Sequence, residues 1–458
     1  MPDFSALPLA PALRPGLDAL GIDRMTPIQQ QALPALLEGR DLLAQAPTGS
    51  GKTVAFGLAL LQRMDVDARE VQALVLCPTR ELVDQVGKQL RRLATGIANL
   101  KLSTVTGGVA LGPQLASLAQ HPPQVLVGTP GRVQELIDKR ALDLRQLRVL
   151  VLDEADRMLD MGFEAAIRAI VARTPKTRQT LLFSATFPQS IRDDGLGLLR
   201  EPLQVTVDGA TTAPAIDQRF YEVDTGNKTA ALAGLLLQYK PDSAVVFCNM
   251  RRDADAVADS LGHLGFTALA LHGDIEQRDR DEVLVRFRNG SCSVLVASDV
   301  AARGLDIEDL AAVINFDLPS DVDTYVHRIG RTGRAGRSGL ALTLCTPRDV
   351  PRAGAMEERI GQRIQWQRPS LAALRPGMAP AASNITLRID AGRTDKLRPG
   401  DIVGALTGEA GLPVAAVGRI DVFPTRSYVA IARAQADKAL ARLQAGKIKG
   451  RKFRVRRM

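Results

Sequence analysis

The sequence predicts an α/β protein: two tandem parallel-sheet lobes followed by a small α+β domain. Three observations support this class. Short aliphatic segments alternate with longer helical stretches, the alternation restarts near residue 215, and a proline-rich segment precedes a basic C-terminal stretch. Continuous apolar strands separated by helices are typical of parallel sheets covered on both faces. The length of 458 residues fits about three domains.

Ten strands are predicted in the two lobes from their aliphatic runs. They lie at 41–45, 73–77, 125–127, 149–152 and 180–183, and then at 244–248, 267–271, 294–297, 312–316 and 341–345. The polar stretch 201–212 predicts the joint between the lobes, and three prolines in 367–383 indicate a linker. We therefore expect lobes at 1–208 and 213–362, a linker at 363–383 and a final domain at 384–458.

The final domain is predicted to alternate strands and helices in a β-α-β arrangement. Its strands are expected at 385–389 and 428–431, with a further one near 453–455, and its helices at 398–406 and 434–443. Residues 383–458 hold sixteen Lys/Arg against six Asp/Glu, so this segment carries the whole net charge of +9. A concentrated basic module indicates a polyanionic partner, with a merely solubilising charged tail as the alternative.

Composition limits the class of protein further. No run of about 18 apolar residues is present, so no membrane partner is expected, and the first residues lack the pattern of a secretory signal. The four cysteines, at positions 77, 248, 292 and 345, are far apart and show no metal-ligand spacing. We expect them to be buried and reduced, without disulfide partners, in a cytoplasmic protein.

A phosphate-binding loop is the strongest local signal. It follows a predicted strand, opens a predicted helix and consists of Ala46, Pro47, Thr48, Gly49, Ser50, Gly51, Lys52 and Thr53. Glycines let several backbone N–H groups converge on one anion, to which the helix N-terminus adds positive potential. Lys52 is expected to contact the β and γ phosphates of ATP, and Thr53 to hold Mg²⁺.

Two adjacent carboxylates end the predicted strand 149–152, about 100 residues after the phosphate loop. These are Asp153 and Glu154, in the sequence Asp-Glu-Ala-Asp. Carboxyl ends of parallel strands meet at one sheet edge, so both are expected beside the phosphate loop. We expect Asp153 to hold Mg²⁺ through water, and Glu154 to orient the attacking water and accept its proton.

With these elements the chain resembles the DEAD-box RNA helicases of superfamily 2 over about residues 4–337. The resemblance implies two RecA-like lobes, ATP and Mg²⁺ as cofactors, and RNA as partner. Phe4 and Gln29 resemble the family's adenine-reading element, and the Gln29 amide can both donate and accept. Segments resembling its RNA-backbone motifs are Pro78, Thr79 and Arg80, then Gly107 and Gly108, then Thr129, Pro130, Gly131 and Arg132. Ser184, Ala185 and Thr186 resemble the element that couples hydrolysis to strand separation.

The second lobe continues the resemblance. Ser298 stands where the family often has threonine, and either hydroxyl suits an RNA phosphate. By the resemblance, Asp306 is expected to bind the ribose hydroxyls. His327 is expected to link the closing lobes, with a plain core histidine as the alternative. Arg331 and Arg334 lie in a glycine-rich segment. They are expected to stabilise charge on the γ-phosphate as arginine fingers, with exposed surface arginines as the alternative.

The basic C-terminal segment resembles the RNA-binding domain of the bacterial DbpA subfamily, a divergent RNA-recognition fold. This resemblance implies tethering to a 23S rRNA hairpin and a role in large-subunit assembly. The first predicted strand of the domain has no aromatic residue for base stacking, so we expect basic contacts instead. Those expected to bind RNA are Lys447, Lys449, Arg451 and Lys452. An ATP-gated RNA clamp with little unwinding is the alternative function, and a DNA helicase or remodeller is a weaker one.

Overall fold

The apolar segments form parallel strands whose successive residues alternate between two buried faces. In this computed structural model, Leu42 and Ala44 of one strand lie in one core cluster, whereas Leu43 lies in the cluster on the other face. The structure describes residues 2–46, 49–184, 197–207, 216–302, 310–333, 339–360, 363–369, 379–408 and 411–458. The described chain divides into two compact units, the first ending at residue 213 and the second holding the second lobe and the C-terminal domain.

The first lobe contains a seven-stranded parallel sheet. Its strands are β1 Leu42–Gln45, β2 Ala73–Leu76, β3 Leu102–Val105, β4 Val125–Gly128, β5 Val149–Asp153, β6 Gln179–Ser184 and β7 Leu203–Thr206. Its helices are α1 Arg14–Leu20, α2 Pro27–Glu38, α3 Lys52–Gln62, α4 Arg80–Leu93, α5 Leu111–Gln120, α6 Pro130–Asp138, α7 Ala155–Asp160 and α8 Glu164–Val171.

The second lobe contains another seven-stranded parallel sheet. Its strands are β8 Ile216–Glu222, β9 Ala244–Cys248, β10 Ala268–Leu271, β11 Val294–Ser298, β12 Ala312–Asn315, β13 Gly339–Cys345 and β14 Gln365–Gln367. Its helices are α9 Lys228–Tyr239, α10 Arg251–His263, α11 Gln277–Arg288, α12 Asp299–Ala302, α13 Val322–Ile329 and α14 Val350–Ile360.

The two lobes share one topology. The first sheet has the order β3-β4-β2-β5-β6-β1-β7, and the second has β10-β11-β9-β12-β13-β8-β14, which is the same order with seven added to every strand number. All the pairings in both sheets are parallel. Two tandem parallel-sheet lobes were predicted, and the structure confirms them.

The C-terminal domain is a four-stranded antiparallel sheet with two helices. Both helices pack on one face of the sheet, and the apolar core lies between them and the strands. Its strands are β15 Asn384–Ile389, β16 Val417–Val422, β17 Ser427–Ala432 and β18 Val455–Arg457, and its helices are α15 Pro399–Thr407 and α16 Ala436–Ala445. The strand order is β16-β17-β15-β18. The predicted α+β domain is therefore present, but strand β16 was not predicted and the last strand begins two residues later than expected.

Every strand predicted in the lobes is present with small shifts at its ends, but four strands were missed. Strands β3, β7 and β14 lie at sheet edges and β8 lies next to one, where partial exposure replaces a continuous apolar run with mixed residues. Strand β7 lies inside the stretch predicted as the joint, and β14 lies inside the predicted linker. Each of these two polar stretches therefore contains, near its start, a strand that belongs to the sheet of a lobe.

Burial of the cysteines follows the prediction: Cys77, Cys248, Cys292 and Cys345 are free and buried. Burial raises the pKa of the Cys77 thiol well above its usual value, and the negative charges of Asp153 and Glu154 raise it further. Such thiols are poor nucleophiles. In the part of the chain that the structure describes, no helix combines the length and apolarity that crossing a bilayer requires.

Candidate functional site

The phosphate loop runs between β1 and α3, and its backbone requires glycine. Gly49 and Gly51 have φ angles of +83° and +96°, in the left-handed region that other residues rarely occupy. A Cβ at Gly51 would lie 2.5 Å from the Gln29 amide nitrogen. Pro47 and Thr48, also predicted for this loop, lie outside the described residues. Both described glycines of the loop thus adopt backbone conformations that favour glycine, and phosphate binding stays a prediction.

Lys52 is the first residue of α3 and is buried, with a 6% exposed fraction. Its ammonium donates a hydrogen bond to the carbonyl oxygen of Ala46, at 3.0 Å, across the loop. Thr53, the next residue, is half-buried. The Ser50 hydroxyl is buried and has no hydrogen-bond partner among the described residues. The phosphate loop therefore contains a buried ammonium group, on Lys52, and a buried, unpartnered hydroxyl, on Ser50.

Gln29 joins the adenine-reading element to the phosphate loop. Its side-chain oxygen accepts a hydrogen bond from the N–H of Thr26 at 2.9 Å, and its amide nitrogen donates to the carbonyl of Gly51 at 3.1 Å. Phe4 is 5% exposed and packs in the core cluster that contains Met25 and Ile28. The structure brings Gln29 to the loop and packs Phe4 in the adjoining core, and their contact with adenine stays a prediction.

Asp153 is the last residue of β5 and lies at the same sheet edge. It is buried, and its Oδ1 has no hydrogen-bond partner within the described residues. Burial raises the pKa of this carboxyl to about 6, although the charge of Lys52 opposes the rise. A buried, unpartnered carboxylate oxygen near a buried lysine is a site that a cation would stabilise.

Glu154 occupies a constrained position directly after the strand. Its φ of +56° is in the left-handed region, which is uncommon for a residue with a side chain and costs conformational energy. The Arg157 guanidinium donates to Glu154 Oε2 at 2.6 Å, and both side chains are buried. The predicted base is thus held at the start of α7 by an ion pair that the sequence reading missed.

Ser184, the last residue of β6, connects these two elements. Its carbonyl accepts a hydrogen bond from the N–H of Ala46 at 3.0 Å, and its hydroxyl accepts from the N–H of Asp156 at 3.4 Å. Ser184 is fully buried. Ala185 and Thr186, the other members of the predicted coupling element, lie outside the described residues.

Two of the predicted RNA-backbone motifs of the first lobe meet. Gly108 has a φ of +66°, and a Cβ there would lie 1.8 Å from a guanidinium nitrogen of Arg80, so the Arg80 side chain packs directly on this glycine. The Thr79 hydroxyl caps α4 by accepting from the N–H of Leu82 at 3.3 Å. Pro78 next to it is buried. The first motif thus combines a helix cap with an arginine that covers the glycine loop.

The third motif starts α6, with Thr129 as its cap residue and Pro130 and Gly131 in its first turn. Arg132 was predicted to contact RNA, but its side chain is buried and engaged within the lobe. Its guanidinium donates to Gln114 Oε1 at 2.9 Å and to the carbonyl of Val109 at 3.0 Å. Its Nε lies 3.1 Å from Glu135. This arrangement fits a residue that holds the glycine loop, and its contact with RNA stays a prediction.

In the second lobe, Ser298 ends β11 at the carboxyl edge of the sheet. Its hydroxyl is buried without a hydrogen-bond partner among the described residues. Arg331 follows α13 and is 8% exposed, and its N–H donates to the carbonyl of Arg328. His327 is half-buried on α13. Asp306 and Arg334 lie outside the described residues.

Arg328 is the residue of this lobe that sequence reasoning missed. It is 2% exposed and donates to both carboxylate oxygens of Asp299 at 2.6 Å. It also donates to Asn315 Oδ1, to the carbonyl of Asp317 and to Asn249 Oδ1. A buried arginine with partners at the ends of β9, β11 and β12 holds these three strand ends together. Its only sequence signal is its place between two predicted functional residues.

The predicted RNA-binding residues of the C-terminal domain are all exposed. Lys449 and Arg451 lie near carboxylates, at 3.8 Å from Asp401 and 3.7 Å from Asp395. Lys447 and Lys452 are also exposed. The structure therefore gathers four basic side chains at the chain's C-terminal turn, where they are accessible to a polyanion.

Comparison with known proteins supplies the family. A family model described as DEAD/DEAH box helicase matches residues 26–193, one described as helicase conserved C-terminal domain matches 227–336, and one described as DbpA RNA binding domain matches 386–457. The ATP-dependent RNA helicase DbpA of Escherichia coli is 50% identical over 461 residues, covering 100% of this chain and 99% of that protein. The chain belongs to the DEAD-box ATP-dependent RNA helicases.

Other relatives agree with this assignment. A DEAD-box ATP-dependent RNA helicase CshA of Bacillus cereus is 43% identical over 350 residues, covering 76% of this helicase and 66% of that protein. Among solved structures, S. cerevisiae Dbp5 bound to RNA and ADP BeF3 has a TM-score of 0.72 at 31% identity, covering 81% of this helicase and 96% of that chain. The predicted family, the RecA-like fold class and the ATP-dependent RNA helicase activity are thus confirmed.

Proposed function

We propose that this helicase melts short RNA duplexes locally during assembly of the large ribosomal subunit in the cytoplasm, while its C-terminal domain binds 23S rRNA. The observation that carries the proposal is the presence, in one chain, of both helicase lobes and a DbpA-type domain with exposed basic residues. A domain that binds one RNA element raises the effective concentration of neighbouring duplexes at the lobes.

Within the first lobe, Lys52 and the loop glycines bind the phosphates of ATP, and Phe4 and Gln29 bind its adenine. The buried, unpartnered oxygen of Asp153 suits Mg²⁺, which Asp153 and Thr53 would hold and which neutralises phosphate charge when bound. Glu154, positioned by Arg157, orients the attacking water and accepts its proton. Ser184 links both groups, which supports a coupling role for it.

RNA binding in the lobes uses the sugar-phosphate backbone. Arg80 and Ser298 bind phosphates, while Arg132 holds the loop that contains Gly108. Such contacts carry no sequence information, so the lobes bind RNA with little sequence preference. His327 takes part in lobe closure, and Asp306 binds the ribose of ATP.

Arg331 and Arg334 stabilise the charge that develops on the γ-phosphate. Replacing both by alanine is expected to lower RNA-stimulated ATP turnover by about a thousandfold, as loss of an arginine finger does. The matched control replaces Arg252 and Arg352, which are exposed or partly exposed on the same lobe. Unchanged turnover in the Arg331/Arg334 variant contradicts the proposed hydrolysis mechanism.

A clamp is the second candidate, in which hydrolysis only sets how long the protein stays on RNA. The placement of Ser184 between the phosphate loop and the Asp-Glu-Ala-Asp segment favours the helicase. A strand-displacement assay beside an ATPase assay, on the same short duplex, separates the two. Displacement that keeps pace with ATP turnover supports the helicase, whereas turnover without displacement supports the clamp.

Binding to 23S rRNA is tested by replacing Lys447, Lys449 and Lys452 together with alanine. We expect ATPase activity stimulated by the 23S rRNA hairpin to fall, and activity on saturating generic RNA to survive. The control replaces Lys88, Lys139 and Lys176, three exposed lysines of the first lobe, with the same loss of charge. An equal loss on both RNAs rejects the tether. Crosslinking in cells then identifies the bound RNA, and crosslinks away from large-subunit RNA contradict the assembly role.

A further inference from the structure

The central strands of the C-terminal sheet, β15 and β17, are covered on their outer face by the second lobe. Ordinary RNA-recognition folds expose this face and stack bases on its aromatic residues. In β15 the odd-numbered residues enter the domain's core, so Thr386 and Arg388 lie on the outer face. Their exposed fractions are 0% and 7%, and that of Tyr428 on β17 is 3%. The only ring on the central strands of this face is thus inaccessible to bases.

Helix α11 of the second lobe provides the covering surface. Glu282 and Asn289 are seven residues apart and therefore lie on the same side of the helical turn. Asn289 Nδ2 donates to the Thr386 hydroxyl at 3.2 Å, and the Ser291 and Thr386 hydroxyls lie 2.6 Å apart. The Asn384 amide donates to the carbonyl of Asn289 at 2.9 Å. The Asn289 amide nitrogen, the Asn384 amide nitrogen and the two hydroxyls are thus paired across the interface, whereas Asn289 Oδ1 has no partner among the described residues.

Glu282 is the charged centre of this contact. Its Oε2 accepts from Arg388 at 3.3 Å and from the Tyr428 hydroxyl at 3.0 Å, and it lies 3.9 Å from Arg426. All four side chains are largely buried, so removing the carboxylate leaves two guanidinium groups near each other without their shared anion. Burial and the charge of Glu282 also raise the pKa of Tyr428.

We propose that the outer sheet face is a docking surface for the second lobe and not an RNA platform, and that Glu282 is the positioning residue that fixes the RNA-bound domain to that lobe. The proposal rests on the proposed function for the identity of the RNA. Hairpin RNA then binds the exposed basic turn containing Lys447 and Lys452, away from the sheet. Docking holds the captured RNA at a constant distance from the second lobe, which raises the rate on a duplex joined to the hairpin.

The first test cross-links the interface. Ser291→Cys and Thr386→Cys replace hydroxyls 2.6 Å apart, which is close to the separation of about 2.0 Å between bonded sulfurs. Each single substitution, oxidised alone, is the control for pairing of an introduced thiol with a native one such as the adjacent Cys292. We expect the disulfide to form readily without RNA, and the oxidised protein to bind a 23S rRNA hairpin fragment as tightly as the reduced form. Failure to cross-link, or loss of hairpin binding on oxidation, overturns the proposal.

The second test measures Glu282→Ala on a 23S rRNA fragment whose hairpin adjoins a short duplex. We expect hairpin affinity within about twofold of the original and unwinding of the adjoining duplex lowered by about tenfold, because the effective concentration falls. Unwinding of the same duplex without the hairpin, at saturating concentration, should not change. Oxidised Ser291→Cys/Thr386→Cys in the Glu282→Ala background should restore the rate, and reduction should remove it again.

Outcomes of the second test separate docking from the proposed function. An unchanged rate on the joined duplex in Glu282→Ala, or no recovery on oxidation, contradicts the positioning role. If the original protein turns over ATP on generic RNA but gains nothing from the hairpin fragment, the 23S rRNA assignment fails. Docking is then decided by the cross-linking result alone, because that measurement needs no RNA.

Discussion

The carbonyl oxygen of Ser184, at the end of β6, accepts a hydrogen bond from the N–H of Ala46, the first residue of the phosphate loop, with an N···O distance of 3.0 Å. The hydroxyl of the same serine accepts from the N–H of Asp156. One residue therefore contacts both the nucleotide-binding loop and the Asp-Glu-Ala-Asp segment, so a displacement of either element reaches Ser184 directly.

Replacing Ser184 with alanine should separate ATP hydrolysis from unwinding. The variant keeps the carbonyl contact to Ala46 and removes the hydroxyl that accepts from the N–H of Asp156, at a stability cost of about 1 kcal/mol. We expect RNA-stimulated ATPase within about threefold of the original and strand displacement lowered at least about tenfold. The exposed Ser117→Ala serves as control. Parallel losses in both assays would count against the coupling role.

A substitution that distorts the backbone at Gly108 should weaken RNA binding by the first lobe. In Gly108→Ala the new Cβ meets the Arg80 guanidinium and the residue must hold a positive φ, which costs about 1 kcal/mol or more. Displacement of Arg80 should raise the RNA concentration for half-maximal ATPase by about tenfold, as loss of a charged phosphate contact does. Gly112→Ala is a close control, since nothing lies within 4 Å of its Cβ and it is in none of the predicted RNA-backbone motifs. Equal effects of both substitutions would argue against a special role for Gly108.

Nucleotide binding should depend on pH through Asp153. Its pKa of about 6 means that the carboxyl is ionised above that pH and protonated below it. Only the ionised form attracts a cation, so Mg²⁺ should strengthen ATP binding at pH 7.5 and lose most of this effect at pH 5.5. A fluorescent ATP analogue measures the affinity with and without Mg²⁺. Asp153→Asn should show little Mg²⁺ effect at either pH, and the exposed Asp18→Asn should behave like the original.

Arg328 should stabilise the second lobe strongly. Replacing it with alanine removes a buried guanidinium and leaves the half-buried Asp299 without its bidentate partner, which we expect to lower the free energy of unfolding by about 3 kcal/mol. Lysine cannot reproduce the planar fork and should recover little of the loss. The single tryptophan, Trp366 on β14, reports urea unfolding of this lobe by its fluorescence. Arg352→Ala, at a partly exposed ion pair, should cost under about 1 kcal/mol. A similar small loss in Arg328→Ala would show that the network contributes little.

The amino-acid sequence by itself determined the central strands, the phosphate loop and the carboxylates that follow β5. These features depend on interactions between near neighbours in the chain: aliphatic runs that need burial on both faces, glycines that supply positive φ, and a helix that begins after them. The same local signals placed Asp153 and Ser184 at the ends of parallel strands and Lys52 at the start of the helix that follows one, and hence all three at one sheet edge.

Tertiary structure decided what distant segments do together. The edge strands β3, β7 and β14 have no continuous apolar run, because only their pairing partners and one covered side make them strands. Nothing local distinguishes Arg328 from a surface arginine until Asp299 and Asn249 surround it. Tyr428 likewise has no local feature that indicates its burial. It is buried by the second lobe, where Glu282, 146 positions away in the sequence, accepts a hydrogen bond from its hydroxyl. Burial and ion pairing are long-range properties, so a one-dimensional pattern cannot contain them.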